Sequence, residues 1–237
     1  MKIYDQLINE TKELLVGYSQ IFWEYREGNA WEENDTSELI LARDTSYELG
    51  GHGKCAVGLS CVTSDDSLVE DDKIVLIGPD INLINSDTSF ARIALVKTKK
   101  LSDDDDEVYK AIREIDFVKY HVFPKGYMMR VSTDDLREQV RLSKLAVNKG
   151  ISFRNIGNNF IRKYKENPNI EKVCIIFITD PNFDYKTLTS NANKAEKITK
   201  ALNHFLEGLP TDCASCNLKP ICDEVEGMRA LHFKKNN

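Results

Sequence analysis

The sequence predicts an α+β fold: a mixed sheet with packed helices, an N-terminal helix and a C-terminal Cys-rich metal-binding appendage. Three observations carry this. Between residues 38 and 98 the chain shows short branched apolar runs bounded by Gly, Asp, Asn and Ser, which read as strands. From residue 105 onward, helical and strand-like patterns alternate. Three of the six cysteines then fall within ten consecutive positions, from Cys213 to Cys222. The expected organisation is an N-terminal helix and linker over 1–37, an α+β domain over 38–209 and a cysteine segment over 210–237.

With 237 residues and 41% hydrophobic content the chain can bury a sizeable core. A net charge of -6 argues against nucleic acid as a partner, since phosphate binding leans on Lys and Arg. The first residues show no basic-then-apolar leader. The longest apolar run, 173–178, is too short to span a bilayer. A cytoplasmic protein with no membrane partner is expected. There thiols stay reduced, which favours a metal or redox role for the cysteines over a disulfide.

In chain order, Ile3, Leu7, Leu14, Tyr18 and Phe22 recur at helical spacing and predict a helix over 2–27. The polar stretch 28–37 reads as a linker. Strands are expected at 39–42, 56–59, 74–77 and 91–96, with Gly50, Gly51 and Gly53 making a tight turn between the first two. No Gly-Lys-Ser/Thr follows those glycines, so they form no phosphate-binding P-loop. A helix is expected over 105–123, ended by Pro124 and Gly126, then a strand over 127–131. Ser132-Thr133-Asp134-Asp135 offers a capped start for a helix through Val147, stopped by Gly150. A helix over 153–165, a buried strand over 172–179 and a long amphipathic helix over 185–209 complete the pattern.

Cys213, Cys216 and Cys222 are spaced C-x2-C-x5-C. A CxxC places two thiolates on one turn, and the third returns after a Pro-containing bend. Thiolate sets of this kind suit a 4Fe–4S cluster or zinc, each wanting four ligands. A metal-free turn is the remaining reading. Cys55, Cys61, Cys174 and His232 are candidates for the fourth ligand, with Cys55 preferred because it adjoins the glycine turn. The four histidines sit in no recognisable nucleophile motif.

Glu48-Leu49-Gly50-Gly51, Ile77-Gly78-Pro79-Asp80-Ile81 and the Val140-Arg141-Leu142-Ser143-Lys144 motif with Ala146, Val147 and Gly150 occur in that order. Phe153-Arg154, Ile156-Gly157 and Phe177-Ile178-Thr179-Asp180 follow. Over about residues 46–185 this resembles the middle domain of acetyl-CoA synthase, the β subunit of the CO dehydrogenase/acetyl-CoA synthase complex. The resemblance implies a place in one-carbon metabolism of an anaerobic cell. The partners it implies are components of that complex or a redox protein, and coenzyme A. In the family a 4Fe–4S cluster is bridged to a dinickel site held partly by Cys-Gly-Cys. That tripeptide is absent here, so nickel is not expected, nor acetyl-CoA synthase activity from this chain alone. An accessory or truncated paralogue carrying a cysteine-ligated cluster is the expectation. A subunit completing a partner's active site and a zinc-stapled CoA- or protein-binding module are the alternatives.

The family's coenzyme A region uses arginines and a tryptophan. Its motif arginine stands here as Arg141, while Gln139 replaces the tryptophan. Arg130, Lys144 and Arg154, with Arg137, complete a candidate basic pocket for CoA phosphates. The other reading makes these solvated charges paired with Asp134, Asp135 and Glu138.

Overall fold

In the computed structural model, residues 2–51, 53–99, 105–131, 138–206 and 216–225 are described. Helix α1 (Asp5–Leu15) buries Leu7, Ile8, Thr11 and Leu15 along one stripe. It packs on α5 (Tyr185–Leu206), where Tyr4 Oη meets Thr199 Oγ1 at 3.0 Å and Asn191 Nδ2 donates to Thr11 Oγ1 at 3.2 Å. The helix expected over 2–27 therefore ends early. Gly17 takes φ +96°, a left-handed conformation that a side chain resists, and reverses the chain. Gln20–Glu24 then runs as strand β1, so Phe22 is a strand residue, half-exposed at the edge of a sheet.

That sheet has five strands in the order β1-β4-β8-β5-β3. Strands β3 (Ala56–Thr63) and β5 (Phe90–Thr98) pair in parallel, as do β4 (Lys73–Ile77) and β8 (Ile170–Ile178). The β5–β8 and β1–β4 pairs are antiparallel, so the sheet is mixed, as expected. The interior strands β4, β8 and β5 are nearly continuous apolar runs because both of their faces are covered. Leu59 and Cys61 lie on the face packed by α1 and α5. Phe90, Arg92 and Phe177 lie on the opposite face, under α4 (Phe153–Lys165), where the Phe153 and Phe177 rings meet at a tilt with centroids 4.7 Å apart.

A second sheet, β2-β7-β6, joins the α4 side of the molecule. It pairs β2 (Ser46–Leu49), β7 (Glu138–Ser143) and β6 (Tyr127–Val131) antiparallel throughout. The helix expected to run through Val147 is thus mostly strand. In β7, Glu138, Val140 and Leu142 point inward and Gln139, Arg141 and Ser143 outward, the period-two pattern of a strand. Among the described residues of that stretch, Lys144–Asn148 is helical, as the short α3, capped by the Ser143 hydroxyl accepting from Leu145 N–H. Residues 132–137, which carried the capping signal and Arg137, lie outside the described residues.

Residues 39–42 form no strand. Ile40 is buried and its N–H faces Met128 Sδ at 3.2 Å, while Leu39 and Leu41 point outward. The polar stretch expected as a linker is tied to α4. Asn159 accepts from Trp31 N–H at 2.8 Å and returns a bond to Trp31 O, and Asn158 accepts from Arg26 N–H at 2.7 Å. The remaining described helices are α2 (Asp105–Phe117) and α6 (Lys219–Glu224). Among the described residues no helix is long and apolar enough to cross a membrane.

Candidate functional site

Pro220 opens α6 in its first turn, and Leu218 and Ile221 bury themselves against the core. Cys216 and Cys222, on either side of these anchors, are half-buried and packed against the same core. Cys222 N–H bonds Leu218 O at 3.2 Å, and Cys216 O accepts from Lys219 N–H at 3.2 Å. The segment is pinned to α5 by Glu224, whose carboxylate meets Lys194 Nζ at 2.7 Å. Cys213 lies outside the described residues.

The remote cysteines differ sharply in access. Cys61 is fully buried in β3, and desolvation drives its thiol pKa well up. Cys174 is 4% exposed in β8, and burial, then the Glu70 charge, push it up to about 12. Neither yields a thiolate readily. Cys55 is exposed, in the loop between β2 and β3, where its N–H donates to Ser89 Oγ at 3.3 Å. It stands close enough to Tyr185, in the first turn of α5, to add to the burial that raises that phenol's pKa. Lys194, which holds α6, lies nine residues further along α5, about 13 Å by helical rise. Among the described residues no three His, Cys, Asp or Glu side chains come together as a metal site.

The four expected cations are engaged in different places. Arg141 donates Nε to Glu48 Oε1 at 2.7 Å and Nη1 to the Ile40 and Leu41 carbonyls at 3.1 and 2.9 Å, with Nη2 also 2.7 Å from Glu48. The hydrogen bond from Arg141 holds the Glu48 carboxyl below the usual carboxylate range, and burial opposes it. Lys144 donates to Asp44 O at 2.6 Å and sits 5.0 Å from the Tyr47 ring centroid. Arg130 is exposed on β6, diagonal to Arg141 on the same sheet face. Arg154 lies on α4 instead, its Nε buried without a hydrogen-bond partner.

Two features lay beyond the sequence reading. A cleft of about 950 Å³ opens between the C-terminal ends of α2 and α4, lined among others by Lys110, Arg113, Phe117, His121, Lys163 and Asn167. None of the four expected cations lines it. Inside the fold, Arg92 of β5 and Glu138 of β7 form an ion pair with 0% and 1% side-chain exposure. Only the alternation of Glu138 with Val140 and Leu142 hints at it in the sequence.

The family model of the CO dehydrogenase/acetyl-CoA synthase complex beta subunit matches residues 32–183. The match takes in both sheets except β1, and begins fourteen residues before the stretch at 46 where the motifs start. The cysteine segment lies outside it. No curated protein matches the chain. With well over half of the residues matched, the chain belongs to the CO dehydrogenase/acetyl-CoA synthase complex β subunit family.

Proposed function

We propose that this chain is an iron–sulfur protein serving a CO dehydrogenase/acetyl-CoA synthase complex as an accessory or electron-transfer component, without a nickel site of its own. The observation that supports the reading is that Cys222 on α6 and Cys216, three residues before that helix, both pack against the core, with Cys213 three residues before Cys216 in the sequence. Membership of the family supports the metabolic setting. A 4Fe–4S cluster takes one thiolate per iron, and three would come from this segment. Cys55 would supply the fourth, since Cys61 and Cys174 are buried and hard to ionise. No Cys-Gly-Cys occurs in the 237 residues, so the reading assigns no nickel. Coenzyme A phosphates are not assigned to Arg141 either, because the protein already engages its guanidinium on three sides.

The test is anaerobic purification with iron, sulfide, zinc and nickel analysis and a visible spectrum. About four irons with matching sulfide are expected, lost in Cys216→Ala and Cys222→Ala and altered in Cys55→Ala. One zinc per chain makes the segment a structural staple of a binding module. A metal-free, colourless protein sinks the iron–sulfur reading.

A further inference from the structure

Burying an ion pair is unfavourable unless the remaining donors of the pair also find acceptors. Arg92 donates Nε and Nη2 to the two oxygens of Glu138, at 2.5 and 2.6 Å. Its third nitrogen, Nη1, is buried and has no hydrogen-bond partner. The Tyr127 hydroxyl is likewise buried without a partner, and the Tyr164 hydroxyl and Ser60 Oγ have none at ordinary hydrogen-bond geometry, although the two lie close enough to interact with each other. These groups belong to one region. Phe160 lies under the Arg92 guanidinium at 4.8 Å, and Tyr164 follows it one turn later on the same face of α4. Ser60 sits two residues from Gly58, which pairs directly with Arg92 across β3 and β5. A Cβ on Gly58 would stand 2.6 Å from Glu138 Oε2, so the missing side chain is what admits the carboxylate. Tyr127 and Tyr164 both lie within electrostatic reach of Arg92.

We propose that this region, between the large sheet, the small sheet and α4, is an internal hydration site. At least one water bound at Arg92 Nη1 bridges the ion pair to a hydroxyl of Tyr127, Tyr164 or Ser60. The ligand is neutral because the pair already is. The next cation, Lys119, is held by Asp116 at 2.9 Å, so an added anion would bring an uncompensated buried charge. It is polar because Nη1 needs an acceptor and the three hydroxyls can each donate and accept. Buried waters make about three hydrogen bonds each and occur roughly once per 27 residues. The two sheets are thereby joined through solvent as well as through the pair.

The test is diffraction from the intact chain at high resolution, with a bromide-soaked crystal in parallel. Ordered solvent within hydrogen-bond reach of Nη1, with no anomalous signal there, is the expected result. A bromide peak at Nη1 overturns the proposal in favour of an anion site, and so does a nitrogen surrounded by protein atoms alone. In solution, Tyr127→Phe, Tyr164→Phe and Ser60→Ala are compared by thermal unfolding. At least one should lower Tm, by about 2–4 °C for a lost buried hydrogen bond in a chain of this size. If all three variants match or exceed the parent, no hydroxyl holds the water and the bridge is wrong.

Discussion

Strand β7 carries both halves of an instructive contrast. Glu138, at its start, pairs inward with Arg92; Arg141, three residues on, pairs outward with Glu48. Both pairs tie β7 to another strand, Arg92 through both oxygens of Glu138 and Arg141 through Oε1 of Glu48 alone. Arg92 and Glu138 are sealed from solvent, whereas Arg141 and Glu48 retain 12% and 15% side-chain exposure. Burial opposes the Arg92 charge, and the Glu138 carboxylate outweighs it and keeps the guanidinium protonated. At the surface, water shares that task. The same two residue types thus make a demanding interior joint and a tolerant exterior clamp.

Breaking the interior pair should have the largest effect. Glu138→Leu strands the Arg92 charge and should cost about 3–5 kcal/mol in urea unfolding, while adding Arg92→Met should recover most of it. A double variant as unstable as the single one would mean that shape rather than charge holds the joint. Next comes Gly58→Ala, whose methyl group would press on the Glu138 carboxylate and should cost about 1–3 kcal/mol. No loss there would show that Glu138 can move aside. The smallest effect belongs to the exterior clamp, where Arg141→Ala should cost roughly 1–2 kcal/mol by the same assay. Its pH dependence sharpens the contrast. Glu48 titrates below its ordinary value when folded, so its contribution is fully present above the carboxylate range. That contribution disappears as pH falls through the folded value, and the gap between parent and Arg141→Ala should narrow in acid. A gap independent of pH would assign the clamp to the Ile40 and Leu41 carbonyls instead.

Local patterns in the sequence revealed the elements whose neighbours agree with them. The runs in β3, β4, β5 and β8 are branched and apolar, as doubly covered strands require, and α4 keeps a clean apolar stripe. The failures have a common cause. Leu14, Tyr18 and Phe22 continue a helical spacing that only the backbone of Gly17 interrupts. The capping signal at 132–135 points to a helix, whereas residues 138–143 alternate between buried and half-buried and form a strand. At 39–42 the apolar run looked like a strand, yet it runs alongside β6 and β7 without joining their ladder. The surroundings of the candidate cations are a separate case. Residue type and motif named Arg141, but its obligations to Glu48, 93 positions away, arise only when β2 and β7 pair. The Arg92–Glu138 joint, spanning 46 positions, was hidden for the same reason.

The commitments of Arg141 also bear on how this lineage can drift. An arginine that holds two carbonyls and a carboxylate is kept in place by folding itself, whether or not it also touches a ligand. Gln139, its neighbour on the strand, answers to no such demand and is free to wander. Such a motif can persist for the sake of packing alone, so its spelling records shared architecture before shared chemistry.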